Sequence, residues 1–218
     1  AFGLTEPNAG SDAGNTQTTA VKDGNNYIIN GQKAFCTNAG ESGVITITAK
    51  IMSKDSSKQK IGAFIVESDS EGVTFGVPEK KMGWKGSDTR SVFFENVKIP
   101  KENILGDPNK GFSQFLETLS GGRITIGGLA LGIAQGAFNA AVKYSKERTA
   151  FGKEINSFQG VSFKISDMAT KIEAAKHLVY HAAWLKDNNL PFMKEAAMAK
   201  LFSSEMAMYV TTEAIQIH

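Results

Sequence analysis

Residues 91–119 read SVFFENVKIP KENILGDPNK GFSQFLETL, and this stretch divides the chain. On its left, Ser91-Val92-Phe93-Phe94 is a short block of β-branched and aromatic residues bounded by polar punctuation, which is the mark of a strand. On its right, past Asp107-Pro108, apolar residues recur at helical spacing from Gly111 onward. The chain therefore reads as two regions, 1–107 rich in strands and 108–218 rich in helices.

Working back from the divide, Tyr27-Ile28-Ile29, Val44 to Thr48, Ile61 to Val66 and Val73-Thr74-Phe75 carry the same strand signature. Asp23-Gly24 lies between two such runs and predicts a hairpin, because glycine takes positive φ at little cost. The polar run Lys54 to Lys60 predicts a solvated loop. Working forward, Gly111–Leu119 predicts a short helix. Arg123–Arg148 predicts a long one with Ile126, Ala130, Ile133, Ala137 and Ala141 on its inner side. Phe158–Leu185 predicts another, with Val161, Ile165, Met168, Ile172 and Ala175 inward. Asn188-Asn189-Leu190-Pro191 stops it, since proline cannot continue a helix and asparagine tolerates a left-handed cap. A third long helix starts near Phe192. Strands followed by antiparallel helices imply an α+β chain with segregated layers.

The composition is that of an ordinary globular chain of 218 residues, 41% hydrophobic and 21% charged, with net charge +2. So even a balance gives no electrostatic reason to expect nucleic acid or an anionic membrane as partner. The longest greasy stretch, Ile124 to Ala137, is broken by glycines and Gln135, so no membrane span is expected. One cysteine, Cys36, cannot form a disulfide within the chain and suits a reducing compartment. His177 and His181 share a helix face but lack a third ligand, and read as a surface pair rather than a metal site. The chain starts at Ala1 and its last helical pattern has no stop signal, so both ends are expected to be cut.

Three segments could carry chemistry. Leu4-Thr5-Glu6-Pro7-Asn8-Ala9-Gly10-Ser11-Asp12 is a loop with a fixed φ at Pro7, a free one at Gly10 and several hydrogen-bonding side chains; such loops bind anions or sugars, and more often simply turn the chain. In Gly31-Gln32-Lys33-Ala34-Phe35-Cys36-Thr37-Asn38-Ala39 a strand ends in an aromatic, a hydroxyl and an amide. An aromatic there is more often core than a cofactor shelf, and Cys36 more often a small buried hydrophobe than a reactive thiol. Lys146 to Lys153 ends a long helix with basic residues that suit its negative pole, then turns at Phe151-Gly152 before Phe158-Gln159. Arg148 could hold a pyrophosphate through its planar fork of donors, or simply neutralise the helix end.

Together these segments, in this order, resemble the acyl-CoA dehydrogenase family. Thr5 to Asp12 is similar to its T-E-P-x-A-G-S-D signature. Gly31, Lys33, Phe35, Thr37 and Asn38 match G-x-K-x-[WF]-I-T-N, with Cys36 where isoleucine is usual. Lys81-Met82-Gly83, Gly86-Ser87-Asp88-Thr89 and Val92 to Pro100 match a third stretch, Gly122-Arg123-Ile124 through Gly136 a fourth, and Arg148 to Gly152 with Phe158-Gln159 a fifth.

The resemblance implies a middle β-barrel-like domain followed by most of an antiparallel helical bundle, without the family's N-terminal helical domain. It implies FAD as cofactor and oxidation of an acyl-CoA thioester to the trans-2-enoyl-CoA, closest to the short-chain, butyryl type. Electrons would pass to electron-transferring flavoprotein. It also implies a homo-oligomer, a dimer of dimers, in bacterial cytoplasm or the mitochondrial matrix. Carried over residue by residue, Leu4 and Thr5 would lie along the isoalloxazine. Ser11 would meet the flavin pyrophosphate or the CoA. Phe35 would cover a flavin face, with Thr37 near N5. Arg148, Phe151, Gln159 and Gln216 would reach a neighbouring subunit's flavin, while Ser120 and Arg123 would lie on the substrate side.

Two departures stand out. Gly122 occupies the position where a minority of members carry the catalytic glutamate, and Gln216-Ile217-His218 stops before the usual one. No catalytic residue is therefore expected in the chain, which alone is expected to be inactive, and Glu6 is expected to hold its loop. Two alternative readings remain: a flavin-binding scaffold without the base, and an oxidase or monooxygenase on the same fold.

Overall fold

In a computed structural model the described residues are 1–52 and 60–218. The polar run expected from Lys54 lies outside them, except for Lys60, which opens a strand. Two compact units form, Ala1–Leu116 and Glu117–His218.

The first unit is a mixed seven-stranded sheet of β1 (Phe2–Gly3), β2 (Thr19–Asp23), β3 (Asn26–Thr37), β4 (Val44–Ile51), β5 (Lys60–Glu67), β6 (Val73–Phe75) and β7 (Thr89–Pro100). Every expected strand is present. β4 pairs antiparallel with β5 along its whole length, and on its other edge takes β1 and β2 in parallel. The order continues through β3 and β7 to β6, all antiparallel. Asp23 pairs with Asn26, so the hairpin turn is Gly24-Asn25, with Gly24 at φ 58°. Alternation sends Ile45, Ile47 and Ala49 of β4 inward against Ile29, Phe64, Val66, Val92, Val97 and Ile99. Each large aliphatic side chain buried this way stabilises the unit by about 1.5–3 kcal/mol.

Two irregularities interrupt the β3–β7 ladder, the first adding a residue on β7 and the second on β3. The β3–β7 register shifts between Ile29 and Gly31, and again between Lys33 and Cys36. At Gly31, φ is 147° and an added Cβ would sit 2.6 Å from the Thr18 backbone, so only glycine fits.

The second unit contains most of α1 (Gly111–Glu147), a small hairpin of β8 (Thr149–Ala150) and β9 (Lys153–Glu154), α2 (Gln159–Asp187) and α3 (Met193–Ile217). α1 is one continuous helix of 37 residues, not a short helix followed by a long one. No proline interrupts it, and two adjacent glycines each cost only about 1 kcal/mol relative to alanine. Its inner side agrees with expectation at Ala141 and otherwise differs. Ile124, Gly127, Ala134 and Ala141 are buried, while Ile126 and Ile133 are almost half exposed. A helix apolar on nearly every side gives periodicity little to choose from, and the core selects the small residues that let helices approach. By length and composition alone α1 could cross a membrane, contrary to expectation, with a mean hydropathy of 1.3 in its most apolar window. Here its small-residue stripe is packed with α2 and α3.

α2 meets expectation more closely: Met168, Ile172 and Ala175 are buried, continued by Val179 and Ala182. It ends at the predicted stop, where Asn189 takes φ 55° and Leu190 N–H donates to Leu185 C=O at 2.9 Å. One core joins Ala134 and Ala141 of α1, Met168, Ile172 and Ala175 of α2, and Met206, Val210 and Ala214 of α3. The Lys164–Glu213 ion pair and the approach of Val179 and Ala199 to Gly127 show α2 running antiparallel to α3.

Candidate functional site

The loop after β1 is held by charges buried in the strand-rich unit. Lys33, on β3, is fully buried. Its ammonium donates to Glu6 Oε1 at 2.7 Å, Thr48 Oγ1 at 3.1 Å, Thr16 Oγ1 at 3.2 Å and the Leu4 carbonyl at 3.4 Å. The Glu6 carboxylate also accepts from the Thr16 and Thr18 hydroxyls and from the Gln17 and Thr18 amides. Burial alone would raise the Glu6 carboxyl, but these bonds more than offset it and hold it at about 2. Burial draws the Lys33 ammonium below the usual lysine range, against the opposing pull of Glu6. Glu6 is thus the loop anchor that the sequence suggested. Its partner Lys33 was visible only as a motif position.

This anchor brings two sets of candidates together. Leu4 and Thr5 are half-buried beside β3, and the Ala34 N–H donates to the Thr5 carbonyl at 2.8 Å. The next residue, Phe35, is not core: it is 64% exposed and its backbone sits at φ 55°. A bulky residue in that region is strained, by on the order of 1–3 kcal/mol, and such strain collects at functional sites. Thr37 is exposed at the end of β3, and Cys36 between them is buried, as expected of a small hydrophobe. Ser11 is exposed on the loop. An open aromatic face, a hydroxyl two residues on and a strip of fixed loop backbone suit a planar heteroaromatic ligand bearing polar edges.

Just beyond Thr37 lies a contact that sequence reading missed. Asp88 accepts from the Asn38 amide at its carbonyl (2.7 Å) and from the Gly40 amide at Oδ2 (2.8 Å), while Arg90 Nε donates to its Oδ1 at 2.8 Å. Asp88 was legible only as a position inside a motif and Arg90 not at all, and neither showed as bearing on a segment some fifty positions away.

In the helical unit, Phe151 (φ 54°) and Gly152 (φ 77°) form the turn between β8 and β9. Phe151 is 95% exposed and meets Phe158 edge-on, with centroids 6.1 Å apart. Arg148, Gln159 and Gln216 are also exposed. They share one end of the unit, where α1 finishes, α2 begins and α3 finishes; His218 stacks on Tyr144 there at 4.5 Å. Ser120 and Arg123 lie one turn apart on α1, and Arg123 donates to the buried Ser120 hydroxyl at 3.2 Å. At Gly122 a Cβ would meet nothing within 4 Å. His177 and His181 are exposed on α2, His177 near Glu173 and His181 against Trp184.

Comparison with known proteins bears on both units. Residues 1–97 match the family model for the acyl-CoA dehydrogenase middle domain, and residues 109–218 that for the C-terminal domain. The chain is 54% identical to a probable acyl-CoA dehydrogenase of Bacillus subtilis, over 100% of this chain and 57% of that protein. It is 51% identical to subunit CarC of a caffeyl-CoA reductase-Etf complex of Acetobacterium woodii, again over 100% of this chain and 57% of the other. Among solved structures it is similar to butyryl-CoA dehydrogenase of Megasphaera elsdenii, with TM-score 0.94 and 49% identity, covering 100% of this chain and 57% of that one. The chain thus spans little more than half the length of the relatives it matches.

Proposed function

Because this chain belongs to the acyl-CoA dehydrogenase family, with models for two successive domains matching nearly all of it, we propose that its protein oxidises an acyl-CoA thioester to the trans-2-enoyl-CoA. The cofactor is FAD, and the substrate a short acyl chain of the butyryl kind. The single observation that carries the reading is Phe35, exposed and held at φ 55° two residues before an exposed threonine, where the family signature has its flavin-facing aromatic.

The residues have distinct tasks in this reading. Leu4 and Thr5 present backbone and hydroxyl to the polar edge of the isoalloxazine, Phe35 covers one face and Thr37 donates near N5. Ser11 binds the pyrophosphate or the CoA. Ser120 and Arg123 line the substrate side. Arg148, Phe151, Gln159 and Gln216 hold the adenine-pyrophosphate half of a neighbouring subunit's flavin, in a dimer of dimers. Held by these residues, a flavin would supply an acceptor for the β hydrogen as hydride and a source of single electrons for electron-transferring flavoprotein. The protein works in bacterial cytoplasm or the mitochondrial matrix. No carboxylate of this chain is assigned the α proton: Gly122 has no side chain, and Glu6 is engaged by five donors.

A second reading runs the same site in reverse, reducing an enoyl-CoA, and is favoured by the 51% identity to a caffeyl-CoA reductase subunit. Anaerobic titration of the full-length flavoprotein with butyryl-CoA tests the first. Bleaching of the oxidised-flavin absorbance is the expected result. A flavin that butyryl-CoA leaves oxidised, but that an aryl-acrylyl-CoA reoxidises after chemical reduction, would favour the second.

A further inference from the structure

We propose that Asp88, braced by Arg90, is a positioning residue that sets Phe35 and Thr37 for the flavin; this rests on the flavin reading above. The β3–β7 ladder ends at the pair Thr37 and Thr89. Beyond it the chain is held by a different set of bonds, three of which meet at Asp88. The Asp88 carbonyl takes the Asn38 amide at 2.7 Å, and its Oδ2 takes the Gly40 amide at 2.8 Å. Its Oδ1 takes Arg90 Nε at 2.8 Å, so both carboxylate oxygens are used. The neighbouring Ser87 hydroxyl adds a longer bond to Asn38 Oδ1 at 3.4 Å.

These bonds act on a strained segment. Phe35 and Asn38, on either side of Thr37, both have positive φ, at 55° and 58°. Backbone in that region relaxes unless its surroundings over-determine it. The Lys33–Glu6 pair fixes the segment before Phe35; Asp88 fixes it after Thr37. The guanidinium lies so close to Gly40 that a Cβ there would fall 2.6 Å from Arg90 Nε. Any side chain at position 40 must therefore displace the Arg90 guanidinium that braces Asp88.

That closeness supplies a test in which both charges remain. Asp88→Ala and Gly40→Ala would be made in the full-length protein and compared with Ile45→Val, a core change in the same sheet. The readouts are flavin dissociation constant, flavin midpoint potential and the visible absorption bands. Asp88→Ala and Gly40→Ala should each weaken flavin binding about tenfold, the usual scale for loss of a charge-assisted hydrogen bond. They should also shift the bands and the potential in the same direction, with Ile45→Val moving neither. Should Asp88→Ala not fold, Gly40→Ala carries the comparison. Variants that lower melting temperature yet keep wild-type flavin affinity, bands and potential would overturn the positioning role and leave the flavin reading intact. Wild-type protein that takes up no flavin would overturn both.

Discussion

Around Thr5 and Phe35 the strand-rich unit hangs its candidate residues on a buried ion pair, whereas the helical unit carries Arg148, Phe151, Gln159 and Gln216 on helix ends packed through alanine, glycine and methionine. The first arrangement is specific and costly. Two charges leave water, and they are tolerated only because each remaining lone pair and proton finds a partner. The second depends on shape. Its stability is spread over many small contacts. The two units should therefore fail differently when perturbed.

The largest difference should come from breaking the ion pair. Lys33→Met leaves the Glu6 carboxylate buried without its cation, and should destabilise the strand-rich unit by about 3–5 kcal/mol in urea unfolding. The double replacement Glu6→Gln with Lys33→Met should recover part of that loss. A single replacement costing under about 1 kcal/mol would show that water reaches the pair, as it does in exposed ion pairs.

Acid should reproduce the effect without mutation. The folded-state pKa of Glu6 lies below its ordinary value of 4.5, at about 2. A depressed carboxyl pKa means the unfolded chain binds the proton more readily. The stabilisation is present above about pH 4.5 and is lost as pH falls toward 2, a change of roughly 3 kcal/mol. Melting temperature followed through this window should drop for the wild type and more shallowly for Glu6→Gln. Equal slopes would assign the acid sensitivity to other groups.

How much of this was legible beforehand depends on how local each feature is. Strands such as Val44 to Thr48 and the stop at Asn188 to Pro191 follow from neighbouring residues and were readable. The role of Glu6 as a loop anchor came instead from the family resemblance. Lys33 gave no sign of full burial, because a lysine between Gln32 and Ala34 looks solvated until Glu6, Thr16 and Thr48 converge on it from three segments. Phe35 on residue type alone leaned toward the core, and only the resemblance set it on a ligand face; its exposure follows from the register shift after Lys33, which no local pattern announces. The α1 stripe was misplaced because Ile126 and Ile133 are better hydrophobes than Gly127 and Ala134, and only the approach of α2 and α3 selects the smaller pair.

Glycines within α1 test the shape-based packing of the helical unit. At Gly122 an added methyl meets no atom within 4 Å. Gly122→Ala should then raise stability by about 0.5–1 kcal/mol through helix propensity alone. At Gly127 the methyl would lie 3.2 Å from Val179 Cγ2 and 3.4 Å from the Ala199 carbonyl oxygen. Gly127→Ala should forfeit that gain, since the crowding cost of overpacking opposes it. If both variants gained equally, the helices would be looser than this packing requires.

The smallest expected effect concerns what the units share. Phe35 in one and Phe151 in the other are exposed aromatics held at φ 55° and 54°. Neither conformation is needed for burial, so replacing either phenylalanine with glycine should leave the cores intact. It also relieves the backbone strain, but releases more conformational freedom in the unfolded chain. The net change should lie within about 1 kcal/mol of zero. Flavin affinity should nevertheless fall for both variants. For Phe35→Gly the loss should appear whatever the oligomeric state, because its ring is assigned, in the function proposed above, to the flavin of its own subunit. For Phe151→Gly it should grow as the protein is diluted and subunits separate, because its ring is assigned to a neighbour's flavin. Flavin release measured over a range of protein concentrations distinguishes the two, and concentration-independent loss in Phe151→Gly would remove that residue from a shared site.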